Sequence, residues 1–110
     1  MKDKFADVIN SLGAEIHAVN RVNGWWDKER NPYELIALMH SELSEAVEYL
    51  RKGNPKSDHI NCDGVTEEMA DTIIRILDFC AGTSVDIGRA IMEKTAFNAK
   101  RGYRHGGKQA

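Results

Sequence analysis

The sequence predicts an all-α protein folded as an antiparallel four-helix bundle, and three observations point there. Apolar residues recur at helical spacing along almost the whole chain, and no stretch alternates apolar and polar as a half-buried strand would. Glycine, proline and capping residues punctuate the pattern into four segments. Segments of that length, joined by short connections, bury their apolar stripes most simply against one another. With 110 residues the chain makes one domain, spanning 1–110, with a basic, glycine-rich tail from about residue 102.

The first helix is expected over about residues 4 to 20, where Phe5, Val8, Ile9, Leu12, Ile16 and Val19 share one face. A loop containing Asn23 and Gly24 follows. Asn31 and Pro32 read as N-cap and first helical position of a second helix, which runs to about Lys52 and stops at Gly53-Asn54-Pro55. Residues 53 to 64 form a polar loop. Either Asp63 or Thr66 can cap the third helix, which ends at about Ala81, before Gly82. Ser84 opens a fourth, reaching Arg101-Gly102, with Ile87, Ala90, Ile91 and Phe97 on its inward arc.

A net charge of −2 gives no bulk attraction to nucleic acid or to a membrane surface, and no apolar run approaches the roughly 20 residues of a membrane span. The N-terminus carries acidic residues and no apolar core, so it does not read as a signal peptide. Cys62 and Cys80 do not make a disulfide framework, and a reducing cytoplasm is the expectation. His59 and Cys62 resemble half of a zinc site, but no second pair follows.

One feature of the second helix runs against its own pattern. Leu35, Ile36, Met39, Leu43, Ala46, Val47 and Leu50 occupy one arc, and Glu42 lies just inside its edge. Glu45 follows one turn on, and Glu68 and Asp71 repeat the same i, i+3 spacing on the third helix. If the two helices pack side by side, four carboxylates meet. Such a group is unstable without a counter-charge, and a divalent cation with all-oxygen ligands, Mg²⁺ or Mn²⁺, is the natural one. The competing reading is a solvated acidic face, or acids paired with Lys94 and Arg101, which lie with Asn98 on one face of the fourth helix. The third helix is apolar around most of its circumference, from Val65 to Cys80, leaving Glu67, Glu68, Asp71, Arg75 and Asp78 in a narrow wedge. That predicts burial on two sides, with a second subunit as the covering layer.

Glu42-Leu-Ser-Glu45 followed by Glu68-Met-Ala-Asp71 resembles the paired acidic motif of the MazG-like all-α nucleoside triphosphate pyrophosphohydrolases. Relatives in that group include dimeric dUTPases, dCTP pyrophosphatases and phosphoribosyl-ATP pyrophosphohydrolases. The later Lys94-Thr-Ala-Phe-Asn98-Ala-Lys-Arg101-Gly-Tyr-Arg-His105-Gly is similar to the signature that closes many members, and the likeness runs from about Trp25 to Lys108. The resemblance implies a four-helix core in a homodimer or homotetramer, dependence on Mg²⁺ with Mn²⁺ as a substitute, and cleavage between the α- and β-phosphates to give a nucleoside monophosphate and pyrophosphate. Carried over by position, Glu42, Glu45, Glu68 and Asp71 hold the metal, with Glu42 and Glu45 as the catalytic pair, and Lys94, Asn98 and Arg101 face the triphosphate. The family's first acidic block often starts with two adjacent glutamates. Here Ser41 precedes Glu42, so the group that orients the attacking water is unassigned.

The adjacent Trp25 and Trp26 are the expected base-binding element, stacking a base while Asn23 or Asp27 reads its edge. The alternative for either indole is to plug the end of the bundle. His17 and His40 read as structural. Neither a serine or cysteine nucleophile paired with histidine nor a P-loop is evident. The reading from a different class is a non-catalytic helical dimerisation or regulatory module whose acids and bases pair with each other. Among enzymes, phosphoribosyl-ATP cleavage is less favoured because its characteristic pattern is not found.

Overall fold

The computed structural model describes residues 3–109 and is all-helical, with no strand among them. The helices are α1 (Lys4–Val22), α2 (Pro32–Arg51), α3 (Gly64–Gly82) and α4 (Ile87–Ala99), followed by a single turn, α5 (Arg104–Gly107). The first three agree with the expected segments to within two or three residues. Their starts follow from capping chemistry. Asp3 accepts hydrogen bonds from the Phe5 and Ala6 amides, Asn31 from Tyr33, and Asp63 from Thr66. Of the two candidate caps for α3, the structure uses Asp63.

The fourth helix differs most from expectation. It starts at Ile87 rather than Ser84, because Ser84 is held at φ 59°, outside the helical region, and Asp86 caps instead by accepting from the Arg89 amide. It ends at Ala99, short of Arg101-Gly102. Gly102 sits at φ 77°, a left-handed conformation that a helix cannot continue through.

α2 and α3 are antiparallel neighbours. Tyr49 covers Gly64, Glu42 and Glu45 meet Glu68, and Glu42 reaches on to Arg75, so positions rise on one helix as they fall on the other. The connection between them is laced to the start of α3. The Gly64 amide donates to the Pro55 carbonyl, the Val65 amide donates to the Asn54 side chain, and Ser57 donates to Glu67 at 2.6 Å. His59 Nδ1 lies 2.8 Å from the same Glu67, and the Cys62 thiol bonds the Asp63 carbonyl, so both residues of the rejected zinc pair are engaged within the loop.

α3 also packs on α1, and α1 on α4, giving an open row in the order α2, α3, α1, α4. Two close approaches position that row. A Cβ on Gly13 would sit 3.3 Å from the Leu77 carbonyl, and one on Gly88 would overlap the backbone of Ala6. Asn10 ties the second crossing by donating to Asp86 at 2.7 Å and accepting from the Gly88 amide at 2.8 Å. Among the described residues the only extensive contact of α4 is with α1, so these four helices line up rather than closing into a bundle. Ile91 and Phe97, expected to point inward, are exposed. α1 and α2 of the same chain cover part of the apolar circumference of α3, while Met69, Ile73 and Ile74 stay exposed. No helix among the described residues is long and apolar enough to cross a membrane.

Candidate metal centre

Two acids of α3 are buried, ten positions apart, and the chain treats them differently. Asp78 accepts from the Trp26 indole N–H at 3.1 Å on both oxygens and lies 2.8 Å from His17 Nδ1. The His17 and Trp26 rings meet edge to face, 4.8 Å between centroids. Trp26 also lies against Gly82, where any Cβ would be 2.6 Å from its ring. This network pins the α1–α2 loop to α1 and α3. It ties His17 and the Trp26 indole N–H into the fold.

Glu68 has no such partners. It is 5% exposed, and its Oε2 has no hydrogen-bond donor among the described residues. Its neighbours are other carboxylates. Burial, then hydrogen-bonding contact with Glu42 and Glu45 and their charge, pushes its pKa up to about 8, so near neutral pH it is held as the acid and can share its proton with either neighbour. Asp71 is also raised, first by burial and then by Glu42 and Glu67, with Arg75 acting the other way. Oxygens of Glu42, Glu68 and Asp71 all lie within 4.8 Å of one another. A divalent cation holding oxygens at roughly 2.0–2.6 Å spans pairs of about that separation. The antiparallel packing thus assembles three of the four expected ligands. Glu45 is exposed and lies outside that tight group, although it adjoins Glu68.

Arg75 was not anticipated as a partner of the acids. Its Nε is 2.9 Å from Glu42 Oε1, one turn along α3 from Asp71. The spacing was visible, since Glu68, Asp71 and Arg75 fall at i, i+3 and i+7 on one face of α3.

A cleft of about 520 Å³ opens beside Glu42 and Asp71, and Trp25, Arg30, Asn20 and Arg75 also line it. Trp25 is 61% exposed, so of the two tryptophans it is the one whose ring is free to meet a ligand. A neighbouring cleft of about 540 Å³ runs past Glu45 and Glu68 to Lys52, Lys56 and His59. Lys94, Asn98 and Arg101 line neither cleft. Lys94 and Arg101 flank the Phe97 ring, their charged groups 4.7 Å and 5.6 Å from its centroid. Asn98 has a buried Oδ1 without a partner among the described residues. The structure therefore does not bring the expected phosphate-binding trio to the acids of its own chain. The side chain of His105, in the closing motif, lies outside the described residues. No protein-family model, curated protein or solved structure matches the chain.

Proposed function

We propose that the chain is a Mg²⁺-dependent nucleoside triphosphate pyrophosphohydrolase of the MazG-like kind, releasing a nucleoside monophosphate and pyrophosphate. The observation that carries this reading is the buried, donorless oxygen of Glu68 between Glu42 and Asp71. A buried polar atom without a partner costs about 1–3 kcal/mol, more for a charged group, and a cation removes that cost. The donor set is all oxygen, which suits Mg²⁺ or Mn²⁺ and not zinc. Glu42, Glu68 and Asp71 are the ligands, with Glu45 adjoining them. Bound there, the metal would supply charge neutralisation on phosphate oxygens and acidity for a coordinated water.

The protein groups around the acids have matching tasks. Arg75 and Arg30, in the first cleft, can hold phosphate oxygens by charge-assisted hydrogen bonds. Trp25 presents a π face on which a base stacks, and Asn20 offers a donor and an acceptor beside it. Lys52 and Lys56, in the adjoining cleft, offer cations to a departing pyrophosphate.

One contact favours the non-catalytic reading. The Arg75–Glu42 ion pair already neutralises part of the cluster, as a helical regulatory module with internally paired acids requires. A panel of ordinary, deoxy and damaged nucleoside triphosphates, assayed for pyrophosphate with and without Mg²⁺, separates the two. The enzyme reading expects Mg²⁺-dependent release that falls by about 100-fold or more in Glu68→Gln, equivalent to roughly 3 kcal/mol of transition-state stabilisation. Absence of release from every member of the panel contradicts it.

A further inference from the structure

The two arginines of the first cleft are held in different ways. Arg30 is engaged by the loop that carries the tryptophans, and its side chain is 15% exposed. One terminal nitrogen donates to the Trp25 carbonyl at 3.4 Å, the other lies 3.7 Å from Glu34, and the guanidinium stands 5.8 Å from the centroid of the Trp26 ring. Arg75 is tied at one point. Its Nε donates to Glu42 Oε1 at 2.9 Å, and its two terminal nitrogens make no hydrogen bond among the described residues. Its side chain stays 38% exposed on the wall of the cleft.

That single bond falls on a crowded acid. Glu42 shares an oxygen triangle with Glu68 and Asp71, all within 4.8 Å, and the buried Glu68 Oε2 has no donor among the described residues. Arg75 follows one turn after Asp71 on the same face of α3. A divalent ion entering the triangle and the Arg75 guanidinium are therefore like charges meeting at one carboxylate, and at such range they repel even in a high effective dielectric. Arg75 is the member that can yield. A part-exposed ion pair held by one nitrogen is weak. A guanidinium with both terminal nitrogens uncommitted grips a phosphate through two parallel N–H···O bonds.

We propose that Arg75 is a resident counter-cation of the acidic centre, paired with Glu42 until a divalent ion enters and then transferred to the phosphate chain of the substrate. Arg75 is thus a positioning residue whose phosphate grip becomes available only once an ion occupies the acids. The inference rests on the proposed metal site and assigns to one side chain the coupling between the ion and the triphosphate. The internally paired Glu42 is then the resting form of that site.

Calorimetric titration of Mg²⁺ into wild type, Arg75→Gln and Arg75→Lys tests it, followed by titration of Mg²⁺–tripolyphosphate in excess Mg²⁺. Arg75→Gln should bind Mg²⁺ roughly tenfold more tightly, having lost a close positive charge, and tripolyphosphate roughly tenfold more weakly, having lost the fork. Arg75→Lys keeps the charge without the fork, so it should hold Mg²⁺ as wild type does and recover only part of the tripolyphosphate affinity. The Nε–H proton resonance of Arg75, identified by its absence from Arg75→Lys, reads the contact in unaltered protein. It should shift when Mg²⁺ is added and shift again with tripolyphosphate. Equal or weaker Mg²⁺ binding by Arg75→Gln, unchanged tripolyphosphate affinity, or a resonance unmoved by saturating Mg²⁺ overturns the inference. A wild type that binds no Mg²⁺ removes the proposed metal site and this inference together. Pyrophosphate release by a protein whose Arg75 stays on Glu42 removes the inference alone.

Discussion

Asp78 and Glu68 sit on the same helix at nearly the same burial, 7% and 5% exposed, yet they have opposite surroundings. Asp78 is met by an indole N–H and an imidazole, one from the α1–α2 loop and one from α1. Glu68 is met by Glu42 and Glu45, and one of its oxygens has no donor. Burial of an acid alone therefore does not set the two apart. The difference is burial without satisfaction, which is what the proposed metal site rests on, because folding alone gives no reason to keep a carboxylate there.

The largest effect that sharpens the contrast is expected at Asp78. Asp78→Ala removes the acceptor for Trp26 and the partner of His17 and leaves the indole N–H short inside the structure. A loss of about 2–4 kcal/mol follows, read by urea denaturation at fixed protein concentration. Glu68→Gln should do the opposite. It keeps the shape and removes one acid from a repelling group, so the metal-free protein should be as stable as wild type or up to about 1 kcal/mol more so. Equal losses in both variants would erase the distinction.

A second expectation concerns pH. Glu68 is raised in the fold to about 8 from an ordinary value near 4.5, and Asp71 is raised as well. A raised carboxyl favours the fold while protonated, so this contribution is complete below about pH 4.5 and is lost as pH rises to about 8. The exposed His59, raised by its bond to Glu67, contributes in the same sense within that window, whereas the lowered Glu67 and Asp63 act at more acid pH. Thermal unfolding of metal-free protein should therefore weaken between pH 5.5 and 8.5. Most of that slope should vanish in Glu68→Gln, and a small remainder from His59 should persist. An unchanged slope in Glu68→Gln would place its cause elsewhere.

The contrast between the two acids was only half legible in the sequence. Helix periodicity, the Asn31-Pro32 start and the Asp63 cap are local signals, and they gave three helices within a few residues. Glu42 inside an apolar arc was legible for the same reason, since a helical wheel needs no tertiary knowledge. The pairing of Asp78 with Trp26 was not, because it joins residues 52 positions apart through a loop whose path the sequence does not encode locally. The same limit applies to Arg75 and Glu42, and to α4. Its start depends on the left-handed Ser84, and its docking depends on Gly88 meeting the Ala6 backbone. The apolar girth of α3 is legible from periodicity alone, whereas which part of it α1 and α2 cover, leaving Met69, Ile73 and Ile74 exposed, depends on packing.

The most direct test of the account is calorimetric titration of Mg²⁺ into the protein at pH 7 in buffers of different ionisation enthalpy. If Glu68 is held protonated and must ionise to become a ligand, binding releases close to one proton per ion, and the observed heat varies with the buffer accordingly. Glu68→Gln should bind more weakly and release almost none. Mg²⁺ binding with no proton release in wild type, or with the same heat and affinity in Glu68→Gln, would contradict the claim that this unpaired acid is the centre of the site.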